Sequence, residues 1–148
     1  MAGADKARTG HEMNTILVIE DDYAIRELFA IELAAEGVNI VAIGKVESFR
    51  ENIKSSNPDL VLLDVYMKGK LRWDVLMDIK KENPELPVII VKDFEDYSYN
   101  PHPLLANGSW IKSYCFDDLK QKVEELLQRK QKIWFQPQKG DKANEKVD

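Results

Sequence analysis

Cysteine is nearly absent: Cys115 is the sole one in 148 residues. An internal disulfide is therefore excluded, and the usage fits a reducing cytoplasm. The thiol itself is expected to be a small buried hydrophobe rather than a reactive group. No apolar run approaches the ~20 residues that a membrane helix needs. The opening MAGADKARTGHEM lacks the apolar centre of a secretory signal. Basic charge is in deficit, with 21 Lys and Arg against 26 Asp and Glu and a net charge of -5, which argues against direct contact with DNA. There is no internal repeat and no low-complexity block. What remains is ordinary for a globular protein, 44% hydrophobic and 32% charged, at a length that suits one domain with a real core.

The chain is organised around DLVLLDVYMKG, with Asp64 at its centre. The apolar run that begins at Asp59 is entered through Asn57-Pro58 and left through Met67-Lys68-Gly69, so it reads as a buried strand ending in an acid. An earlier run, Thr15 to Ile19, ends in a second acid cluster, Glu20-Asp21-Asp22. Further strands are expected at Val38 to Ile43, Val88 to Val91 and Ser109 to Ile111. Helices are expected from Asp22 or Tyr23 to about Glu36, from Val46 to about Ser55, from about Leu71 to Asn83, and from about Phe116 to Lys130. Between Asp93 and Asn107, Pro101 and Pro103 predict a short, broken or absent fourth helix. Val65 to Lys70 is expected to be a loop. Residues 1–13 and 131–148 are expected to be largely disordered around one domain at 14–130. Ile133, Trp134 and Phe135 are expected either to fold back on that domain or to touch a partner.

Alternating strands and helices imply a doubly wound, five-stranded parallel sheet of the α/β class. In the strand order 2-1-3-4-5, the first and third strands are neighbours at the switch point, where open α/β sheets bind ligands. Glu20, Asp21 and Asp64 then converge on one rim. A lone Asp at a strand end is more often just a polar exit; the second cluster is what favours a site. Three close carboxylates must raise some of their pKa values, pair with cations or bind a metal. Hard oxygen ligands with room for water suit Mg2+. Asp64 could then attack phosphorus as a carboxylate nucleophile. Lys112, just after the fifth strand, is placed to pair with the same oxygens.

These segments together resemble a response-regulator receiver domain, the family of the chemotaxis regulator CheY. ILVIEDDYAIREL resembles its first strand, acid pair and first helix, DLVLLDVYMKG its phospho-acceptor segment, LPVIIV its fourth strand, and ANGSWIKS its fifth strand with the lysine. The resemblance spans about Thr15 to Arg129. It implies a CheY-like fold and a two-component phosphorelay module rather than an enzyme, with at most self-phosphorylation and slow autodephosphorylation. It implies that Asp64 accepts the phosphoryl group and that Lys112 contacts it. It also implies that Glu20, Asp21, Asp64 and the backbone carbonyl of Tyr66 hold Mg2+. The implied partners are a sensor histidine kinase or phosphotransfer protein and a downstream protein, with neither DNA nor membrane contacted directly. A homodimer stays open, as does a longer parent protein.

The switch positions depart from the family pattern. Lys92 stands where a Thr or Ser hydroxyl usually binds the phosphoryl group, so it is the atypical member of the candidate site. Its ammonium could replace the metal's charge, bind phosphate, or point outward. Ser109 replaces the switch aromatic, and Trp110 should face the other side. Ser113 and Lys68 replace prolines, and Arg72 replaces a glycine. The competing expectation is a pseudo-receiver, a protein-interaction module that phosphate does not regulate. A phosphohydrolase resembling the haloacid dehalogenases would want an acid where Tyr66 stands, and a flavodoxin would want a phosphate loop where Glu20-Asp21-Asp22 stands. With no effector domain expected in the tail, output would pass through protein contact. Tyr97, Tyr99, Trp110 and residues 133–135 are candidates for that contact.

Overall fold

A computed structural model describes residues 13–93, 105–113 and 115–134, with 129–134 as backbone alone. The chain runs β1 (Thr15–Ile19), α1 (Tyr23–Ala34), β2 (Asn39–Ile43), a 3-10 turn (Val46–Ser48), α2 (Phe49–Ser56) and β3 (Leu60–Asp64). Two short arms follow, β4 (Tyr66–Met67) and β5 (Lys70–Leu71), then α3 (Trp73–Glu82), β6 (Val88–Lys92), β7 (Gly108–Ile111) and α4 (Asp117–Trp134). The main sheet has the order β2-β1-β3-β6-β7, and every pairing in it is parallel. With the hairpin arms β4 and β5 set aside, this is the expected order 2-1-3-4-5.

The central strands are apolar on both faces because helices cover both. Ile16, Val18, Leu60 and Leu62 pack on one face with Phe29 and Leu33 of α1 and Leu119 and Val123 of α4. Leu17, Ile19, Val61 and Leu63 pack on the other with Phe49 of α2 and Leu76 and Ile79 of α3. A polar residue just after the last apolar position of β1 or β3 therefore sits at the carboxyl rim between the two layers. Asp22 caps α1 by accepting the Ile25 N–H at 3.1 Å. Asn57 ends α2 in the left-handed region at φ 48°, and Gly37 follows α1 at φ 81°.

Three expectations are corrected. Val65 to Lys70 is not a plain loop. Met67 pairs with Lys70, and Tyr66 with Leu71, across a two-residue turn. Lys68 and Gly69 both have positive φ, 51° and 78°, as the tight hairpin turn of a twisted strand pair requires. Cys115 is exposed, because the next residue, Phe116, takes the core position against Phe29 and Trp110. The last helix continues to Trp134, four residues past the expected end. Tyr97, Tyr99, Pro101 and Pro103, with the fourth-helix expectation they carried, lie outside the described residues, as do Phe135 and the segments 1–12 and 136–148.

The hairpin explains why Lys68 is not proline. Proline is locked near φ -65°, and the Lys68 N–H donates to Asp21 Oδ2 at 3.2 Å. Lys68→Pro is expected to destabilise the protein by about 1–3 kcal/mol. A denaturant midpoint equal to wild type would show that the turn is not formed.

Candidate functional site

Sheet register builds the site. Ile19 lies opposite Leu63 in adjacent strands, so Glu20 and Asp64 leave β1 and β3 side by side. Both side chains are buried, with Glu20 1% and Asp64 2% exposed, although each is an acid. Asp21 is half-buried beside them, and one carboxylate oxygen from each of the three lies within 4.8 Å of the others. β7 delivers Lys112 to the same rim. Its Nζ is 3.1 Å from Asp64 Oδ2, 3.1 Å from Glu20 Oε1 and 2.9 Å from Asp93 Oδ1.

Backbone donors hold the acids in place. The Tyr66 N–H donates to Asp64 Oδ1 at 3.0 Å, and the Asp22 N–H donates to Glu20 Oε2 at 3.1 Å. Arg26 Nη1 donates to the Glu20 carbonyl at 2.8 Å, and its guanidinium fills the space that Gly44 leaves by lacking a Cβ. That clamp was not anticipated. Its only sequence signal is a helical arginine one turn after the acid cluster.

The electrostatics are those of two buried carboxylates sharing one ammonium. Burial, and then the charge of Asp64, push Glu20 up to about 8, against the opposing pull of Lys112. Burial also raises Asp64, partly offset by Lys112. Burial disfavours the charge on Lys112. Its hydrogen bond to Asp93 and the charges of Asp64 and Glu20 outweigh that and hold its ammonium above the ordinary lysine range. Glu20 Oε1 is fully buried and accepts no hydrogen bond; Lys112 Nζ is 3.1 Å away but off the hydrogen-bonding direction. A buried, unsatisfied carboxylate oxygen is costly unless a cation meets it. Oxygen donors of this kind on two adjoining strand ends fit a hard divalent ion.

The residues expected at the switch positions fall elsewhere. Lys92, at the end of β6, is half-buried and lines a surface cleft of about 330 Å³ with Ser109, Trp110, Ser113, Cys115 and Asp118. Among the described residues no ion pair joins Lys92 to the acid cluster; Lys112 takes that place alone. Ser109 is exposed, whereas Trp110 is 5% exposed and packs against Phe29 and Phe116 with ring centroids 6.0 and 5.1 Å apart. Strand alternation thus separates the two as expected. No cis peptide bond occurs among the described residues. Asp93 was not anticipated as a member of the site. As one acid in a mixed acidic and aromatic stretch, it gave no sign that register would bring it to Lys112.

Comparison with known proteins agrees with this geometry. The chain is 36% identical over 126 residues to the probable C4-dicarboxylate response regulator DctR of Bacillus subtilis, covering 80% of this chain and 54% of that one. It spans about half the length of the first curated relatives it matches. Among solved structures, it is similar to the response regulator protein TrrA of Thermotoga maritima in complex with Mg2+ and BeF. The TM-score is 0.72 at 34% identity, with 77% of this chain and 99% of that one covered. A complex of the histidine kinase ThkA with TrrA matches at TM-score 0.71 and 35% identity, covering 78% and 99%. Among the described residues no helix is long and apolar enough to cross a membrane. Residues 16–124 match the response regulator receiver domain, and with the doubly wound sheet and its acid rim they establish that this chain belongs to that family of two-component signalling modules.

Proposed function

We propose that this receiver accepts a phosphoryl group on Asp64 with Mg2+ bound beside it. The observation that carries this is the convergence of Glu20, Asp21 and Asp64 within 4.8 Å, with the Lys112 ammonium 3.1 Å from both buried acids. Glu20, Asp21, Asp64 and the backbone carbonyl of Tyr66 would hold the ion. Next to a tight hairpin turn, the outer pair Tyr66–Leu71 turns its backbone groups away from the partner strand. The Tyr66 N–H already bonds Asp64 on that edge, and its carbonyl is the second group there. When bound, Mg2+ offsets charge on the transferring group.

In the transfer, an Asp64 carboxylate oxygen forms the new bond to phosphorus. The donor's bond to phosphorus breaks, and the leaving group departs with that electron pair. Lys112 pairs with the phosphoryl oxygens, and the Tyr66 N–H keeps Asp64 oriented. Lys92 lies on the β6–β7 side of the site and could reach a phosphoryl oxygen only by turning from the cleft. Ser109 offers no ring to swing inward. The receiver therefore does not signal by the family's hydroxyl and aromatic pair.

The similarity to TrrA, which is known in complex with a histidine kinase, supports a sensor kinase or phosphotransfer protein as the donor. Some curated relatives are named transcriptional regulators, and the chain matches half or less of each of these. For the receiver itself, at about 14–130 with α4 continuing to Trp134, an acidic balance, -5 over the full chain, favours output through protein contact over DNA, in the cytoplasm. Incubation with Mg2+ and a small acyl phosphate is expected to add one phosphoryl group by intact mass, and Asp64→Ala is expected to add none. No gain on wild type, or an equal gain on Asp64→Ala, overturns the assignment and favours the pseudo-receiver.

A further inference from the structure

The peptide unit that joins Glu20 to Asp21 has two of the three site acids on its two sides. Peptide units are planar, so fixing the direction of the Glu20 carbonyl restricts how both side chains leave the backbone. Among the described residues no backbone N–H bonds that carbonyl; Arg26 Nη1 does, at 2.8 Å. The flanking groups are held as well. The Glu20 N–H donates to the Ile43 carbonyl at 3.1 Å, and the Arg26 N–H donates to the Asp22 carbonyl at 2.9 Å. The guanidinium also lies against the Tyr23 ring, 5.5 Å from its centroid. Its seat is the space at Gly44, the residue after Ile43 of β2. A Cβ on Gly44 would overlap Arg26 Nη1 and lie 2.9 Å from Arg26 Cζ, and the three nearest heavy atoms are all of Arg26. Gly44 is not among the residues of positive φ, so its backbone does not call for glycine. The arginine beside it does.

We propose that Arg26, seated by Gly44, is a positioning residue for Mg2+ binding. Its hydrogen bond holds the Glu20–Asp21 peptide in the orientation that aims both carboxylates at one ion. The proposal rests on the reading of Glu20, Asp21 and Asp64 as the Mg2+ site. Charge and geometry act in opposite directions here, which makes them separable. Losing a cation beside a cation site would by itself tighten Mg2+ binding. Losing the hold on the peptide weakens it.

The test is the Mg2+ dissociation constant, by titration calorimetry, for wild type, Arg26→Ala, Gly44→Ala and the double variant. Groups that orient metal ligands typically govern affinity by about 10–100-fold. Arg26 holds the backbone and not a ligand atom, so Arg26→Ala is expected to bind Mg2+ about three- to tenfold more weakly. Gly44→Ala keeps the charge and is expected to weaken binding similarly, because the far end of the arginine swings away in preference to the strand. The double variant is expected to match Arg26→Ala, since the added methyl then displaces nothing. Wild-type or tighter affinity in either single variant, whatever its melting temperature, overturns the proposal and leaves the Mg2+ site standing. So does a Gly44→Ala loss that persists in full in the double variant. Should Gly44→Ala fail to fold, Arg26→Ala decides alone by the same criterion. No binding of Mg2+ by folded wild type overturns both the proposal and the site.

Discussion

Replacing Lys112 with methionine is expected to destabilise the metal-free protein by about 3 kcal/mol near pH 8 and by much less near pH 5. The substitution removes the ammonium that lies 3.1 Å from both Glu20 and Asp64 and leaves two buried carboxylates without it. Removing one member of a buried ion pair typically costs about 3–5 kcal/mol, and the partial exposure of Lys112, 19%, argues for the low end. The pH dependence follows from the acids. Both already titrate high because they are buried, Glu20 at about 8. Losing Lys112 raises both further, so near pH 5 Glu20 is neutral and misses the ammonium little. Denaturant unfolding of wild type and Lys112→Met at the two pH values measures the difference. An equal cost at both would show that the carboxylates do not sense Lys112.

Glu20→Gln is expected to make the metal-free protein more stable, by a few kcal/mol near pH 8, and to abolish most of its stabilisation by Mg2+. The sign is that of a group whose folded pKa lies above its unfolded value. Glu20 titrates at about 8 in the fold against an ordinary 4.5. Its favourable contribution is complete below 4.5 and is lost as pH rises through 8, because the fold must then hold a buried charge next to Asp64. Glutamine never carries that charge. For wild type, a divalent ion reverses the balance by matching the ionised form; an ion at a hundredfold excess over its dissociation constant adds about 2.7 kcal/mol. Thermal unfolding of the two proteins with and without Mg2+ at pH 6 and 8 checks this. Should Glu20→Gln be the less stable protein at pH 8 without Mg2+, burial does not strain Glu20 as the geometry implies.

Both outcomes concern residues that the chain announces locally. Thr15 to Ile19 and Leu60 to Asp64 are short apolar runs that end in acids, and such runs become buried parallel strands with their acids at the rim. Lys112 follows a similar run, so its place was legible by the same logic. The hairpin at Tyr66–Leu71 was not legible, because Lys68-Gly69 lacks the usual Asn-Gly signal. The Lys68 N–H that helps hold it donates to Asp21, 47 residues away. Cys115 was misjudged for a related reason. Composition says that cysteines tend to be buried, but here the neighbouring Phe116 takes the core position against Trp110 and Cys115 is exposed.

The sequence by itself determined the alternation of buried strands and amphipathic helices and the three acids with their lysine, because burial and strand polarity act over a few residues. Tertiary structure alone decided which charges meet. Asp93 reaches Lys112, and Lys92 turns to the cleft of Ser109 and Trp110, only because β6 and β7 pair with Lys92 opposite Ile111. A one-residue slip would exchange those faces. Register is a property of two strands together, and neither strand's residues encode it alone.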